Sequence, residues 1–310
     1  MSGLEQDLAD YLQLRRSLGH ELSESHRLLP GFVVFLDTRG CTTITTQAAL
    51  EWSQQPSTTA PSSVGPRRMT AARGFARYLS GIYPGTEVPP FGLMPHSQRW
   101  RLPFIYSSKD IGALMSQARC LIDQPLRAAT YETLIGLLAV TGLRIGEAIK
   151  LDRADVDWSE RVLLIRESKF GKSRFVPLQE STIEALKSHA TLRDELQPAS
   201  IDASFFVSLT RKRLSYQVVS HTFRGLVTAA GIGAHAPSAP RIHDLRHSFA
   251  IQTLLGWYRS NEDVQAKIPS LSTYLGHREP ASTYWYLSAA PELLAMAAAR
   301  QDAQWMKARS

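Results

Sequence analysis

Arg241-Ile-His-Asp-Leu-Arg-His-Ser-Phe-Ala250 is the stretch that decides how the chain is organised. Leu245, Phe249, Ala250, Leu254 and Leu255 recur at helical spacing, which predicts a helix over 242–258. His243 and Arg246 are three residues apart, so they share a face and can reach one small target together. A guanidinium fork beside an imidazole suits a phosphate: the fork binds two oxygens, and the ring donates or accepts a proton. The same stretch also fits a plain amphipathic helix with a polar edge. A third reading is a zinc-binding helix, because His243 and His247 are four apart. Such a helix carries Glu where Asp244 stands, and Arg246 would set a fixed cation beside a dication.

The chain is long enough, at 310 residues, for two domains with separate cores. Its apolar share of 44% and charged share of 20% are those of a globular protein. No apolar run approaches a membrane span, and Met1-Ser-Gly-Leu-Glu-Gln-Asp7 is too acidic and polar for a signal peptide. Cys41 and Cys120 are far apart and show no metal-ligand spacing, which points to a reducing cytoplasm. The net charge of +7 is carried by the second part of the chain, since residues 1–98 balance eight Arg against eight Asp and Glu. A basic excess on one domain favours a polyanionic partner, nucleic acid first.

Periodicity predicts helices over 4–18, 22–38 and 67–80, and a short one, capped by Thr45, running to about Gln54. Residues 1–83 therefore read as an all-helical N-terminal domain. Arg68, Arg73 and Arg77 on its last helix are candidate phosphate contacts or simply a solvated face. Five prolines between Pro84 and Pro103 exclude regular helix, so 84–102 reads as a linker and 103–310 as a second domain. Ser108 is the expected cap of the next helix. The period changes to that of strands at Val162–Arg166 and Ser173–Pro177, which are joined by a turn around Gly171, and Asp155–Glu160 is a candidate third strand and turn. Helices resume over 180–195, 215–230 and 242–258, then run in short pieces to Tyr286, with a last one from Pro291 to Lys307. The expected class is mainly α with a small β-sheet.

Four further segments hold candidates. Thr141-Gly-Leu-Arg144 puts an arginine at a helix start, a natural anion site, or merely pairs it with Glu147 at i+3. Lys169 stands on the hairpin, with Lys172 and Arg174 beside it as possible DNA contacts. Leu275-Gly-His277 and Ser282-Thr-Tyr-Trp-Tyr286 offer an imidazole and a phenol. Taken singly, each is as well explained by a surface turn or a core aromatic.

Taken together and in this order, they resemble the tyrosine recombinases of the phage integrase family. Thr141-Gly-Leu-Arg144-Ile-Gly-Glu147 is similar to the family's first Arg box, Lys169 to its hairpin lysine, His243-Asp-Leu-Arg246 to its His-x-x-Arg box, and Leu275-Gly-His277 to its Leu-Gly-His box. The family's nucleophile usually follows nine residues after that histidine, which is Tyr286. Tyr284 is a rival, but two residues is about 200° around a helix, so the two cannot face one phosphate. Tyr286-Leu-Ser departs from the commoner Tyr-x-His spelling, and the region looks more like transposon-borne members.

The resemblance implies a helical core-binding domain, an integrase-type α+β catalytic domain, and transesterification of duplex DNA. Tyr286 would form a 3′-phosphotyrosine with no cofactor, metal or ATP. His243 would accept the phenolic proton, and Arg144, Arg246 and His277 would hold the phosphate oxygens. Lys169 would protonate the leaving 5′-oxygen. It also implies a tetramer on DNA, of this chain alone or with sister recombinases, in a prokaryotic, nucleoid-associated setting. The alternatives are a type IB topoisomerase, a DNA-binding accessory subunit and a zinc hydrolase.

Overall fold

Local sequence sets the helix boundaries at both ends of each domain. The computed structural model describes residues 3–20, 22–56, 64–94, 102–166, 173–198, 202–277, 279, 281–289, 292–296 and 298. The chain divides into two units, Met1–Trp100 and Arg101–Ser310. No helix among the described residues is long and apolar enough to cross a membrane.

The first unit contains α1 (Gly3–Ser17), α2 (Ser23–Thr38), α3 (Thr46–Gln54) and α4 (Val64–Leu79). Their apolar faces meet in one core built on Leu29, Phe32, Leu36, Trp52, Met69, Phe75 and Leu79. The Thr45 hydroxyl caps α3 by accepting from the Ala48 N–H, as its sequence suggests. Two ends differ from expectation. Helix α4 begins at Val64 rather than Arg67, because Pro66 is tolerated in a first turn, where its missing N–H needs no partner. Helix α2 starts at Ser23, one residue later than expected, because Leu22 takes up the left-handed region, and no side chain caps it. The proline-rich stretch from Pro84 to Met94 is tied to this unit: the Glu87 N–H donates to the Ile44 carbonyl, and the Thr46 N–H to the Glu87 carboxylate.

The second unit starts with α5 (Ser108–Leu121). Its cap is Ser107, not Ser108: the Ser107 hydroxyl accepts from the Asp110 N–H, and Asp110 returns a bond to the Ser107 N–H. Helix α6 (Pro125–Thr141) is apolar almost all round, since α5, α8 (Glu180–Leu196) and α10 (Asp244–Arg259) surround it. Between α7 (Ile145–Lys150) and α8 lies an antiparallel sheet ordered β1 (Val156–Asp157), β2 (Val162–Ile165), β3 (Arg174–Pro177). Leu163 pairs with Val176, which puts both on the core side of the sheet. The expected third strand exists but is only two residues long.

Helices α9 (Tyr216–Ala229), α11 (Val264–Leu275) and α12 (Ala281–Ala289) complete the described elements. Ala250, Ile251 and Leu254 of α10, Ile268 and Leu271 of α11, and Tyr286 and Leu293 form a second, smaller core in this unit. Most of the last predicted helix, Pro291 to Lys307, lies outside the described residues. Leu293 packs into its own domain.

Candidate active site

Two glycines organise the site. Gly142 ends α6 with φ +61°, and Gly276 ends α11 with φ +67°, the left-handed cap that glycine adopts without a Cβ penalty. A Cβ on Gly142 would lie 2.4 Å from the Phe249 ring, so nothing larger fits there. Each cap turns carbonyls toward an arginine from elsewhere. Arg246 Nη1 donates to the Gly142 carbonyl at 2.7 Å, and Nη2 to the Leu275 carbonyl at 2.6 Å. Arg144 Nη2 donates to the Gly276 carbonyl at 3.0 Å. Cations at the carbonyl ends of two helices are favoured by the peptide dipoles. Two helix ends thus hold two guanidiniums, and each five-donor fork has N–H groups beyond those that anchor it.

Glu147 ties the arrangement together. One carboxylate oxygen accepts from the Arg144 N–H at 3.0 Å and the other from Arg144 Nη1 at 2.7 Å, so the i+3 pairing read as the plain alternative does form. Arg174 reaches the same carboxylate from β3 with Nη1 and Nη2, at 3.1 and 2.9 Å, while its Nε donates to the Tyr274 carbonyl at 2.7 Å. Burial alone would raise the Glu147 pKa, but the hydrogen bonds and charges of Arg174 and Arg144 outweigh it and hold the carboxyl down at about 2.

Arg174, read from the sequence as a possible DNA contact, is turned inward onto Glu147, and we expect it to brace the site rather than to touch DNA. Removing one partner of a buried pair leaves the other charge uncompensated. Arg174→Ala is therefore expected to cost about 3 kcal/mol of folding stability, read by urea unfolding. It should leave the slope of log Kd against log salt for DNA unchanged. A slope lowered by about one phosphate's worth would mark Arg174 as a phosphate contact after all.

Two of the α4 arginines offered as phosphate contacts, Arg68 and Arg73, are likewise occupied within their own unit. Arg68 donates to the Trp52 and Gln55 carbonyls and lies over the Trp52 ring. Arg73 donates to the Pro89 and Pro90 carbonyls and covers Phe91. Both fasten loops to α4, while Arg77 on the same helix is exposed. Lys169 and Lys172 lie outside the described residues.

The histidines and the phenol meet beside the arginine pair. His243 occupies the cap position of α10 rather than its first turn. Its pKa is lowered by burial first and then by Arg246. The His277 Nδ1 lies 2.7 Å from the Thr283 hydroxyl, and its ring stacks on that of Tyr286. Burial, followed by Arg246 and Arg144, brings the His277 pKa down to about 4. Arg246 itself is lowered only to about 10, by burial and then by Arg144, so it stays charged at neutral pH.

Tyr286 is 2% exposed, on a helix whose Tyr284 is 46% exposed, as their offset requires. The phenol is directed at the polar groups: its oxygen lies 3.2 Å from His247 Nδ1, and Arg246 is near enough for its charge to act on it. Burial raises the phenol's pKa, and the two arginines oppose that rise. The sequence reading gave His247 a part only in the zinc alternative and Glu147 only as the i+3 partner of Arg144, and it assigned no role to Thr283. For Glu147 and His247 the only local signals were the i+3 spacing from Arg144 and adjacency to Arg246.

Neutral buried imidazoles make the fold sensitive to acid. His189, whose ring is 2% exposed, and His247 are both held at about 4, burial being the larger cause for each. In the unfolded chain such a ring binds its proton near the ordinary value of about 6.5. Unfolding therefore takes up protons between these limits, and stability is complete above about pH 6.5 and falls as pH drops toward 4. Between pH 7 and 5 the expected loss is at least about 2 kcal/mol, at about 1.4 kcal/mol per unit, read as the shift in urea midpoint. Equal midpoints at the two pH values would contradict it.

Among the described residues no group of three His, Cys, Asp or Glu side chains is placed to hold a metal ion. Fixed positive charge at the site is supplied by guanidiniums, which can stabilise an oxyanion without deprotonating.

Comparison with known proteins agrees with this geometry. Residues 107–292 match the model of the phage integrase family. The putative integrase/recombinase y4rB of Sinorhizobium fredii is 40% identical over 314 aligned residues, covering 98% of this chain and 99% of that protein. The fold is similar to that of the Tn1549 transposon integrase in complex with transposon right end DNA. Its TM-score is 0.64 at 16% identity, with 96% of this chain and 98% of that one covered. A lambda integrase tetramer bound to a Holliday junction gives a TM-score of 0.57 at 16% identity, covering 90% and 79%. The chain belongs to the phage integrase family of tyrosine recombinases.

Proposed function

We propose that this recombinase cuts and rejoins duplex DNA at a specific site through a covalent 3′-phosphotyrosine on Tyr286, with no metal or nucleotide cofactor. The observation that carries this reading is the meeting of the Tyr286 phenol with Arg246, beside Arg144 and His277, deep in one domain. Tyr286 attacks phosphorus, and the P–O bond to the 5′-oxygen breaks. Arg144 and Arg246 hold the non-bridging oxygens as charge builds on them, and His277 adds a hydrogen bond to the same oxygens. Lys169 on the β2–β3 hairpin supplies a proton to the leaving 5′-oxygen, and a histidine beside the phosphate accepts the phenolic proton, His243 being the one that the family resemblance implies. A 5′-hydroxyl from the partner duplex then reverses the step, so phosphate-ester bonds are exchanged and none is spent.

Residues 1–83 act as a DNA-binding domain, 84–102 as the connection and 103–310 as the catalytic domain. Four protomers join two DNA sites, either as copies of this chain or with sister recombinases, a reading supported by the likeness to a lambda integrase tetramer bound to a Holliday junction. The setting is the nucleoid of a prokaryotic cytoplasm. The test is covalent capture from a library of randomised duplexes, each nicked so that a cleaved strand end diffuses away and traps the adduct. SDS-stable adducts that form in EDTA and converge on one sequence support the proposal. Absence of adducts across the library, or adducts that need a divalent ion, would overturn it.

A further inference from the structure

We propose that His247, the residue after the Arg246 of the His-x-x-Arg box, is the group that accepts the phenolic proton of Tyr286. This deepens the reading of Tyr286 as the nucleophile and rests on it. The geometry is direct: His247 Nδ1 lies 3.2 Å from the Tyr286 oxygen, a hydrogen-bond distance. No such contact links that oxygen to His243. With the His247 proton on Nε2, the Nδ1 lone pair accepts the phenolic hydrogen across that distance. A base on the hydrogen is then paired with the Arg246 charge beside the oxygen, which is what ionising a buried phenol requires.

The groups facing His247 decide whether it can take the proton. From α10 and its lead-in come His243, whose ring lies edge-on at 4.9 Å between centroids, together with Arg241, Asp244 and Arg246. Helix α12 contributes Trp285 and Tyr286, and His277 after α11 lies near enough for the charges of the two rings to interact. Burial and the neighbouring cations keep the imidazole neutral in the free protein, with its lone pair available. A scissile phosphate bound between Arg144 and Arg246 brings a negative charge that offsets those cations, so the imidazolium becomes accessible as the reaction proceeds. The balance is then complete. The Tyr286 O–H bond breaks, its proton moves to His247 Nδ1, the oxygen bonds to phosphorus, and the 5′-oxygen leaves with a proton from the general acid. Religation runs the transfer backward.

The test uses single-turnover cleavage of the captured duplex by full-length wild type, His247→Gln and His247→Phe, across pH 5 to 9. Each is run also on a duplex whose scissile 5′-oxygen is replaced by sulfur, a leaving group that needs no acid. Unchanged DNA affinity and urea midpoint at pH 8 qualify a variant as folded, and Gln is included because it keeps a polar side chain of similar length. Cleavage is expected to fall about 100-fold, within the usual range for a lost general base. The fall should persist on the sulfur duplex and across the pH range, in which the free imidazole is already unprotonated. Wild-type rates, or faster cleavage marking His247 as a restraint on Tyr286, would overturn the proposal. So would a loss restored by the sulfur duplex, which would place His247 on the leaving-group side. Adducts that persist in Tyr286→Phe would instead overturn the nucleophile assignment on which it rests.

Discussion

Tyr286→Phe is expected to bind DNA within about twofold of wild type and to form no covalent adduct, a loss of at least about 10⁴-fold, the scale seen when a nucleophile is removed. The substitution removes one oxygen from a ring already packed among Ile251, Leu254, Ile268 and Leu271, so the core is kept. What disappears is the group held between His247 and Arg246. The phenol is also the least replaceable part of the site. Water could take its place only by giving hydrolysis, which leaves free ends rather than an adduct. Denaturing gels of the captured duplex read both outcomes. An adduct that persists in this variant would move the nucleophile elsewhere, and Tyr284→Phe would be the next substitution. Tyr284 faces solvent, however, on the far side of α12 from the arginines.

Arg246→Lys is expected to lower single-turnover cleavage by about 10³-fold, the upper end for loss of one oxyanion donor. It should also cost about 2 kcal/mol of stability. The charge is conserved, so any large effect comes from shape. The guanidinium spans two carbonyls, Gly142 and Leu275, that belong to different helix ends, and it also reaches the phenol. An ammonium offers three hydrogens on one atom and has no fork to bridge those oxygens while serving a phosphate. Leaving one buried carbonyl unpaired accounts for the stability loss. Urea unfolding and cleavage at saturating DNA separate the two effects. A lysine variant cleaving within threefold of wild type would reduce Arg246 to a simple positive charge.

The boxes themselves could be read from the linear sequence because each is short and its residues act locally. The i+3 relation of His243 to Arg246 and of Arg144 to Glu147 follows from helix pitch alone. So does the opposition of Tyr284 and Tyr286 on α12. The Thr45 cap and the two-strand hairpin were equally local. Local chemistry did not discriminate where neighbours were alike. Ser107 and Ser108 are alike as caps, and only the return bond from Asp110 selects Ser107. The three arginines of α4 are alike as charges, yet Arg68 and Arg73 are drawn to loop carbonyls and aromatic rings while Arg77 is left exposed.

By itself the sequence determined a mainly helical chain with a small sheet and the spacing of an arginine, histidine and tyrosine set. Hydrophobic periodicity and residue type act over a few residues, and that is all those features need. Only the tertiary structure decided what each cation holds. Arg246 meets the Gly142 carbonyl across 104 residues of chain, and Arg174 meets Tyr274 across 100. Every residue presents the same carbonyl, so no side-chain pattern in the sequence marks which oxygen a guanidinium will find. That choice is made when two glycine-capped helix ends are brought together. The same packing sets His247 against the phenol and turns Arg174 away from solvent.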